Sequence, residues 1–173
     1  TEKGFFDSEV WRVPMIWSWP GHIPEGEKDT APAELLDTAA TLMNLTGLED
    51  EQPDIWKGRD LFNDPAPDAA FSQFGWANSE CPLFERLESQ ERFRKPDKGL
   101  MRTAVLTEGY RMDVTWMEEG QKLSGADLDG NLFDLKNDPG EIKNLYNDPE
   151  SQEIVKYHLD LLEGWWKSMK KPV

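Results

Sequence analysis

Lys3, Arg12 and His22 are the basic residues whose placement bears most on chemistry in this chain, because so much of the surrounding charge is negative. With 34 acidic against 19 basic residues the net charge is −15, so an anionic substrate is repelled unless a few cations are focused at its site. The same balance argues against nonspecific binding to nucleic acid or anionic membranes, which needs a concentrated cationic surface. Solubility is the plainer account of the acidic surface. The acids between Asp129 and Glu141 read as partners of backbone N–H groups rather than as catalysts. Asp129-Gly130 supplies the positive-φ residues of a tight turn. Asp138 caps a helical turn that Pro139 opens, and Glu141 follows the cap at capping-box spacing. Cys81 is the only cysteine; a single thiol makes neither an internal disulfide nor a metal cage, and it reads as a structural or loop thiol. His158, alone on an apolar helix face, reads as packing rather than as a metal ligand.

The elements that would position these groups follow from periodicity. Residues 15–19, bounded by Pro14 and Pro20-Gly21, form a short apolar run that predicts a strand buried on both faces in a mixed sheet. Leu35, Leu36, Ala39, Leu42, Met43 and Leu45 recur at helical spacing until Gly47, and the helix they predict should pack on that strand. Asp37 inside it is either an anchor for a neighbouring loop or an exposed carboxylate. Residues 49–67 are polar and turn-rich, a linker leaning on the core. Residues 69–74 suggest the first strand of a second unit, and residues 78–99, with Pro82 and Pro96, a long excursion. Residues 101–105, 110–116 and 132–135 then predict an antiparallel meander, with Glu108-Gly109 as a tight connection and Phe133 and Leu135 on one face. Asp148 caps and Pro149 opens a terminal helix. Its stripe of Ile154, Val155, His158, Leu159, Leu162, Trp165, Trp166 and Met169 should lie across the sheet.

Three segments, in order, resemble one enzyme family. Phe133-Asp134-Leu135-Lys136-Asn137-Asp138-Pro139-Gly140-Glu141 with Asn144-Leu145 is similar to the "LYDL-x-x-DP-x-E-x-x-NL" segment near the C-terminus of type I sulfatases, in the alkaline-phosphatase-like superfamily. Lys3-Gly4 through Arg12-Val13-Pro14-Met15-Ile16 is similar to their "GK-x-x-x-YE-x-x-x-RVPLI" segment, and residues 34–47 to their "VD-x-x-PT-L-x-x-x-G" helix, with Ala40 where the family has proline. Shorter likenesses join them: Lys57-Gly58-Arg59-Asp60-Leu61 to the "GRSL" connector, and the 102–111 region to the "RAVRTGRYKYI" hairpin.

The resemblance implies an α/β fold: an alkaline-phosphatase-like fragment with a small C-terminal antiparallel sheet packed against a terminal helix. It divides the chain into the end of the catalytic α/β domain (1–62), a linker and long loop (63–100) and a C-terminal subdomain (101–173). It implies a sulfuric ester hydrolase, an arylsulfatase-like enzyme. Lys3 would contact the sulfate oxygens at the active site and neutralise charge as the S–O bond breaks. Trp76, Phe84, Arg86, Arg92 and Arg94 would be substrate-side contacts, because C-terminal insertions in that family shape substrate access.

The family also uses calcium and a formylglycine nucleophile made from a Cys/Ser-x-Pro-x-Arg motif. Cys81 is followed directly by Pro82, so that spacing fails, and both nucleophile and calcium ligands are expected upstream. The chain opens at Thr1 inside a family motif, which makes an inert C-terminal fragment the expectation. The substrate implied is a sulfated small molecule or carbohydrate.

Two other readings remain open. A phosphonate or phosphodiester hydrolase of the same superfamily would share this frame. A non-catalytic carbohydrate-binding module would use some of the eight tryptophans as stacking surfaces. Against the module, Trp11, Trp17, Trp19, Trp165 and Trp166 fall on predicted cores, leaving Trp56, Trp76 and Trp116 as exposed. No apolar run approaches the roughly 20 residues of a membrane span. Localisation is open, with periplasm or secretion implied by family. Unpaired sheet edges predict self-association.

Overall fold

A computed structural model describes residues 6–54, 56–76, 100–116 and 129–169. Four strands form one antiparallel sheet in sequential order: β1 (Ala70–Trp76), β2 (Leu100–Leu106), β3 (Tyr110–Trp116) and β4 (Gly130–Asp134). The predicted meander is present, and β1, which falls within 63–100, pairs with β2 from Ala70 opposite Leu106 to Trp76 opposite Leu100. The expected connection at Glu108-Gly109 closes β2 onto β3, with the Thr107 N–H donating to the Tyr110 carbonyl.

Alternation gives the sheet two unlike faces. One carries Phe71, Val105, Met112, Val114 and Leu132, and is covered by the C-terminal helix α3 (Gln152–Met169). Asp148 accepts from the Glu150 N–H at 3.1 Å and Pro149 follows it, so the entry to α3 is capped as expected. Val155, Leu159 and Leu162 recur along one side of α3 and complete the core, and Trp165 stacks on Phe71 of β1 with ring centroids 5.2 Å apart.

His158 is 1% exposed within this seam, a packing residue as predicted. Its Nδ1 lies 2.7 Å from the Ile154 carbonyl and its Nε2 3.1 Å from the Thr107 hydroxyl. That pattern suits a neutral ring: Nδ1–H donates to the carbonyl and Nε2 accepts from the hydroxyl. Burial pushes its pKa below the ordinary 6.5, against a smaller opposite pull from the Ile154 carbonyl. Below pH 6.5 the unfolded chain therefore gains a proton that folded His158 resists, and stability falls as the pH drops. His158→Gln is expected to flatten the acid side of the melting-temperature profile, removing a slope of at most about 1.4 kcal/mol per pH unit. Profiles of equal slope for wild type and variant would refute this.

The edges of the sheet are furnished with partners. On β4 the Asn144 carboxamide oxygen accepts from the Leu132 N–H at 3.0 Å, and the Leu145 N–H donates to the Leu132 carbonyl at 2.8 Å. On β1 the Glu34 carboxylate accepts from the Phe71 N–H. Gly130 corrects its sequence reading. It does not take positive φ but opens β4 opposite Val114, and an added Cβ there would lie 2.5 Å from the Tyr146 ring. Phe133 and Leu132, on opposite faces of β4, are both buried.

Two further expectations are corrected. Residues 15–19 form no strand, and Ile16 is 90% exposed; no strand among the described residues lies beside them to complete a ladder. The predicted helix is present as α2 (Leu35–Leu45), but it buries Asp37, Ala40 and Thr41 and leaves Leu35, Leu36 and Leu42 exposed. The reason is the strap at residues 58–61, which lies on the polar side of the helix. Asp37 accepts from the Arg59 N–H at 3.0 Å and from the Glu34 N–H at 2.9 Å, and the Thr41 hydroxyl accepts from the Leu61 N–H at 3.0 Å. Of the two readings left open for Asp37, the loop anchor is the one observed.

Candidate functional site

The second face of the sheet carries charge where strands usually carry solvent-facing residues. Arg102 of β2, Arg111 and Asp113 of β3, and Asn131 of β4 share this face by register. Arg111 and Asp113 are each only 1% exposed. Asp113 receives Nε of Arg102 at 2.7 Å, a guanidinium N–H from each arginine, and the Asn131 carboxamide at 3.0 Å. Buried carboxylates are tolerated when they are paired and hydrogen-bonded in this manner. Below Arg111 the ring of Phe133 lies 4.8 Å from the guanidinium carbon.

The other side of Arg111 is a fork on Glu141, with Nε to Oε1 at 2.8 Å and an Nη to Oε2 at 3.0 Å. Glu141 does not close a capping box as the spacing suggested. It sits at φ 53, a left-handed conformation unusual for a glutamate, which aims its carboxylate at the sheet rather than at Asp138. The carboxylate also receives the backbone N–H of Ser8 at 3.1 Å and the Ser8 hydroxyl. Ser8 opens the short helix α1 (Ser8–Trp11), and Phe6 beside it is buried, with its ring against Trp11. A glutamate thus joins the N-terminal helix α1 to the turn after β4, across 133 positions of sequence.

Burial pushes the Glu141 carboxyl up, but the bonds from Arg111 and Ser8 outweigh it and hold the group below its ordinary range. Every oxygen of Asp113 and Glu141 has a donor, and two cations balance two anions. Neither carboxylate is free to act as an acid or base, so the arrangement holds parts in place. Asp138 does serve backbone N–H groups, those of Ile142 and Lys143 at 2.8 Å each, within a turn rather than a helix. Among the described residues no three His, Cys, Asp or Glu side chains are grouped to hold a metal ion.

No protein-family model matches the chain. Solved structures do. A 2-O GAG sulfatase superposes on 78% of this chain and 25% of its own, at 21% identity and a TM-score of 0.53. A proposed sulfatase from Bacteroides thetaiotaomicron covers 78% of this chain and 24% of its own, at 20% identity and 0.52. A third structure, solved with its substrate D-glucosamine-2-N,6-O-disulfate, covers 78% and 24%, at 18% identity and 0.50. The chain carries part of the sulfatase fold. It spans about a quarter of the length of the sulfatases it matches.

Within that sulfatase fold the sequence-predicted site residues fare unequally. Lys3, Arg86, Arg92 and Arg94, together with Phe84 and Cys81, lie outside the described residues. Trp76 closes β1 opposite Leu100, which places its backbone but not its side chain. Arg12 is exposed, and His22, also exposed, stacks on Trp19 with centroids 4.1 Å apart. Trp19 is 39% exposed, unlike the core position read for it, and Trp56 at 43% is exposed as expected.

Sequence reasoning missed the buried charges. The alternation Tyr110-Arg111-Met112-Asp113-Val114 looks like a strand with one wet face. The available signal was Arg111 and Asp113 at alternate positions with Arg102 on the adjoining strand, which becomes a network only once register is known. The sulfatase-like Asn144 was also missed as a device. Its side chain accepts from the Leu132 and Tyr146 N–H groups and donates to Asn131, taking the place of a neighbouring strand.

Proposed function

We propose that this chain is the C-terminal part of a sulfatase that hydrolyses a sulfate ester on a carbohydrate. The observation that carries the reading is the superposition on a 2-O GAG sulfatase over 78% of the chain; a protein solved with a sulfated glucosamine as its substrate supports the substrate class. Lys3 is the assigned catalytic residue, a fixed cation on the sulfate oxygens that gains strength as negative charge builds on them. Trp76, Arg86, Arg92 and Arg94 are assigned to the substrate side.

The described carboxylates do not fit a calcium site, because the buried pair is saturated by arginines and amides and no further cluster is present among them. On the family resemblance, calcium and a formylglycine nucleophile are assigned to the remainder of a sulfatase fold. The exposed leucine face of α2 is the surface we assign to packing against that remainder, since the superposition takes up only about a quarter of the matched structures.

The test is sulfate release from p-nitrophenyl sulfate and from a sulfated glucosamine, with calcium, by this chain and by the complete polypeptide that contains it. Release by the complete polypeptide alone is expected. Preference for a phosphodiester or phosphonate, or turnover by the 173-residue chain itself, would overturn the assignment.

A further inference from the structure

We propose that Glu141 is a positioning residue for the segment that carries Lys3, clamping it to the sheet through Ser8. The inference rests on the sulfatase reading for what Lys3 does, and on the structure for the clamp. Four interactions converge on one carboxylate: two from Arg111, which is itself braced by Asp113, and two from Ser8. The Ser8 pair is directional, because the backbone N–H and the hydroxyl of one residue meet different oxygens and so fix both position and rotation of the chain there. Glu141 adopts a left-handed backbone to present this carboxylate. A solvent-facing turn glutamate needs no such conformation, and the surrounding turn already satisfies its backbone through Asp138.

The consequence lies upstream. Lys3 precedes Ser8 by five residues, a stretch that reaches no further than about 18 Å even when fully extended. Anchoring Ser8 therefore limits where the lysine can go, and the anchor is a turn carboxylate braced on β3 through Arg111, with no direct part in the chemistry. The charged side chains described on this face are consumed in the brace, so Glu141 acts on any substrate only through the segment it holds.

Amide hydrogen exchange on the full chain tests the clamp without reference to activity. Ser8→Ala removes the hydroxyl donor and leaves the buried ion pairs intact; Glu141→Gln keeps the shape and removes the charge. In Ser8→Ala, exchange at the Ser8, Val10 and Trp11 amides is expected to rise about ten-fold, as for a local opening, while β3 and α3 keep their protection; in Glu141→Gln the same amides should rise at least as much, and β3 with them, because Arg111 loses its anion. Unchanged exchange at residues 6–11 in Ser8→Ala overturns the clamp. Ser8→Ala losing protection across β3 as well would show a general structural role instead, and also overturns it.

Sulfate-ester kinetics on the complete polypeptide then test positioning. A loosened lysine is expected to lower kcat about ten-fold with KM held within about two-fold, and Glu141→Asp to recover less than the native glutamate. Full kcat in Ser8→Ala despite faster exchange refutes the positioning role. A wild-type polypeptide with no sulfatase activity refutes the functional assignment and leaves the clamp to be judged by exchange.

Discussion

Replacing Arg111 by methionine is expected to destabilise the chain by about 3–5 kcal/mol, the cost of breaking a buried ion pair by removing one partner. Methionine fills much of the volume and keeps contact with Phe133, so the loss isolates the charge. Without the guanidinium, Asp113 and Glu141 are left on one buried face, with Asp113 keeping Arg102 and Asn131 and Glu141 keeping only Ser8. Arg102→Met should cost less, because the Arg102 side chain is 15% exposed and Arg111 stays on Asp113.

The sign of the pH effect follows from Glu141, whose folded carboxyl is held below its ordinary 4.5. Its contribution is present above that value and is lost as the pH falls through the lower folded one. The gap between wild type and Arg111→Met should therefore narrow in acid. Urea unfolding across pH measures both; a midpoint shift worth less than about 1 kcal/mol at neutral pH, the scale of a surface pair, would show that the network is not the brace described.

Gly58→Ala is expected to cost about 3–5 kcal/mol, for a reason local to the strap over α2. An added Cβ would lie 2.2 Å from the Leu36 carbonyl oxygen and 3.1 Å from the Asp37 nitrogen. Backbone on both sides cannot turn aside as a flexible side chain does, so the strap must lift. Lifting breaks the Arg59 N–H bond to Asp37 and the Leu61 N–H bond to Thr41. Two lost bonds at about 1 kcal/mol each, plus an under-satisfied carboxylate at about 1–3 kcal/mol, set the range. Gly109→Ala is the control: nothing lies within 4 Å of its added Cβ, and its cost should stay near 0.5 kcal/mol or below. Equal melting temperatures for the two variants would remove the close approach at Gly58 from the account.

Both predictions concern contacts that the sequence did not make legible, whereas the elements that carry them were visible. The strands at 110–116 and 132–135 and the capped terminal helix were read almost to their ends, because alternation, Asp148-Pro149 and the helical stripe act over a few residues. Helix α2 was read at its correct place with the wrong side inward. Its leucines promised a core, yet the described packing partner is a strap whose backbone N–H groups seek oxygen, and so Asp37 and Thr41 are inside.

Residues 15–19 failed for a related reason, since an apolar run becomes a strand only when another strand supplies hydrogen bonds. The charged motif around Glu141 was assigned to its neighbours in sequence, as a capping box, when its partners are Arg111 and Ser8. By itself, then, the sequence determined the meander, the terminal helix, the packing histidine and a likeness to sulfatases, all carried by short-range patterns. Only the tertiary structure decided that Ser8, Arg102, Arg111, Asp113 and Glu141 form one buried network, because that depends on strand register and on a single left-handed residue. Charges so far apart in sequence can pair only after the fold has brought them out of water together.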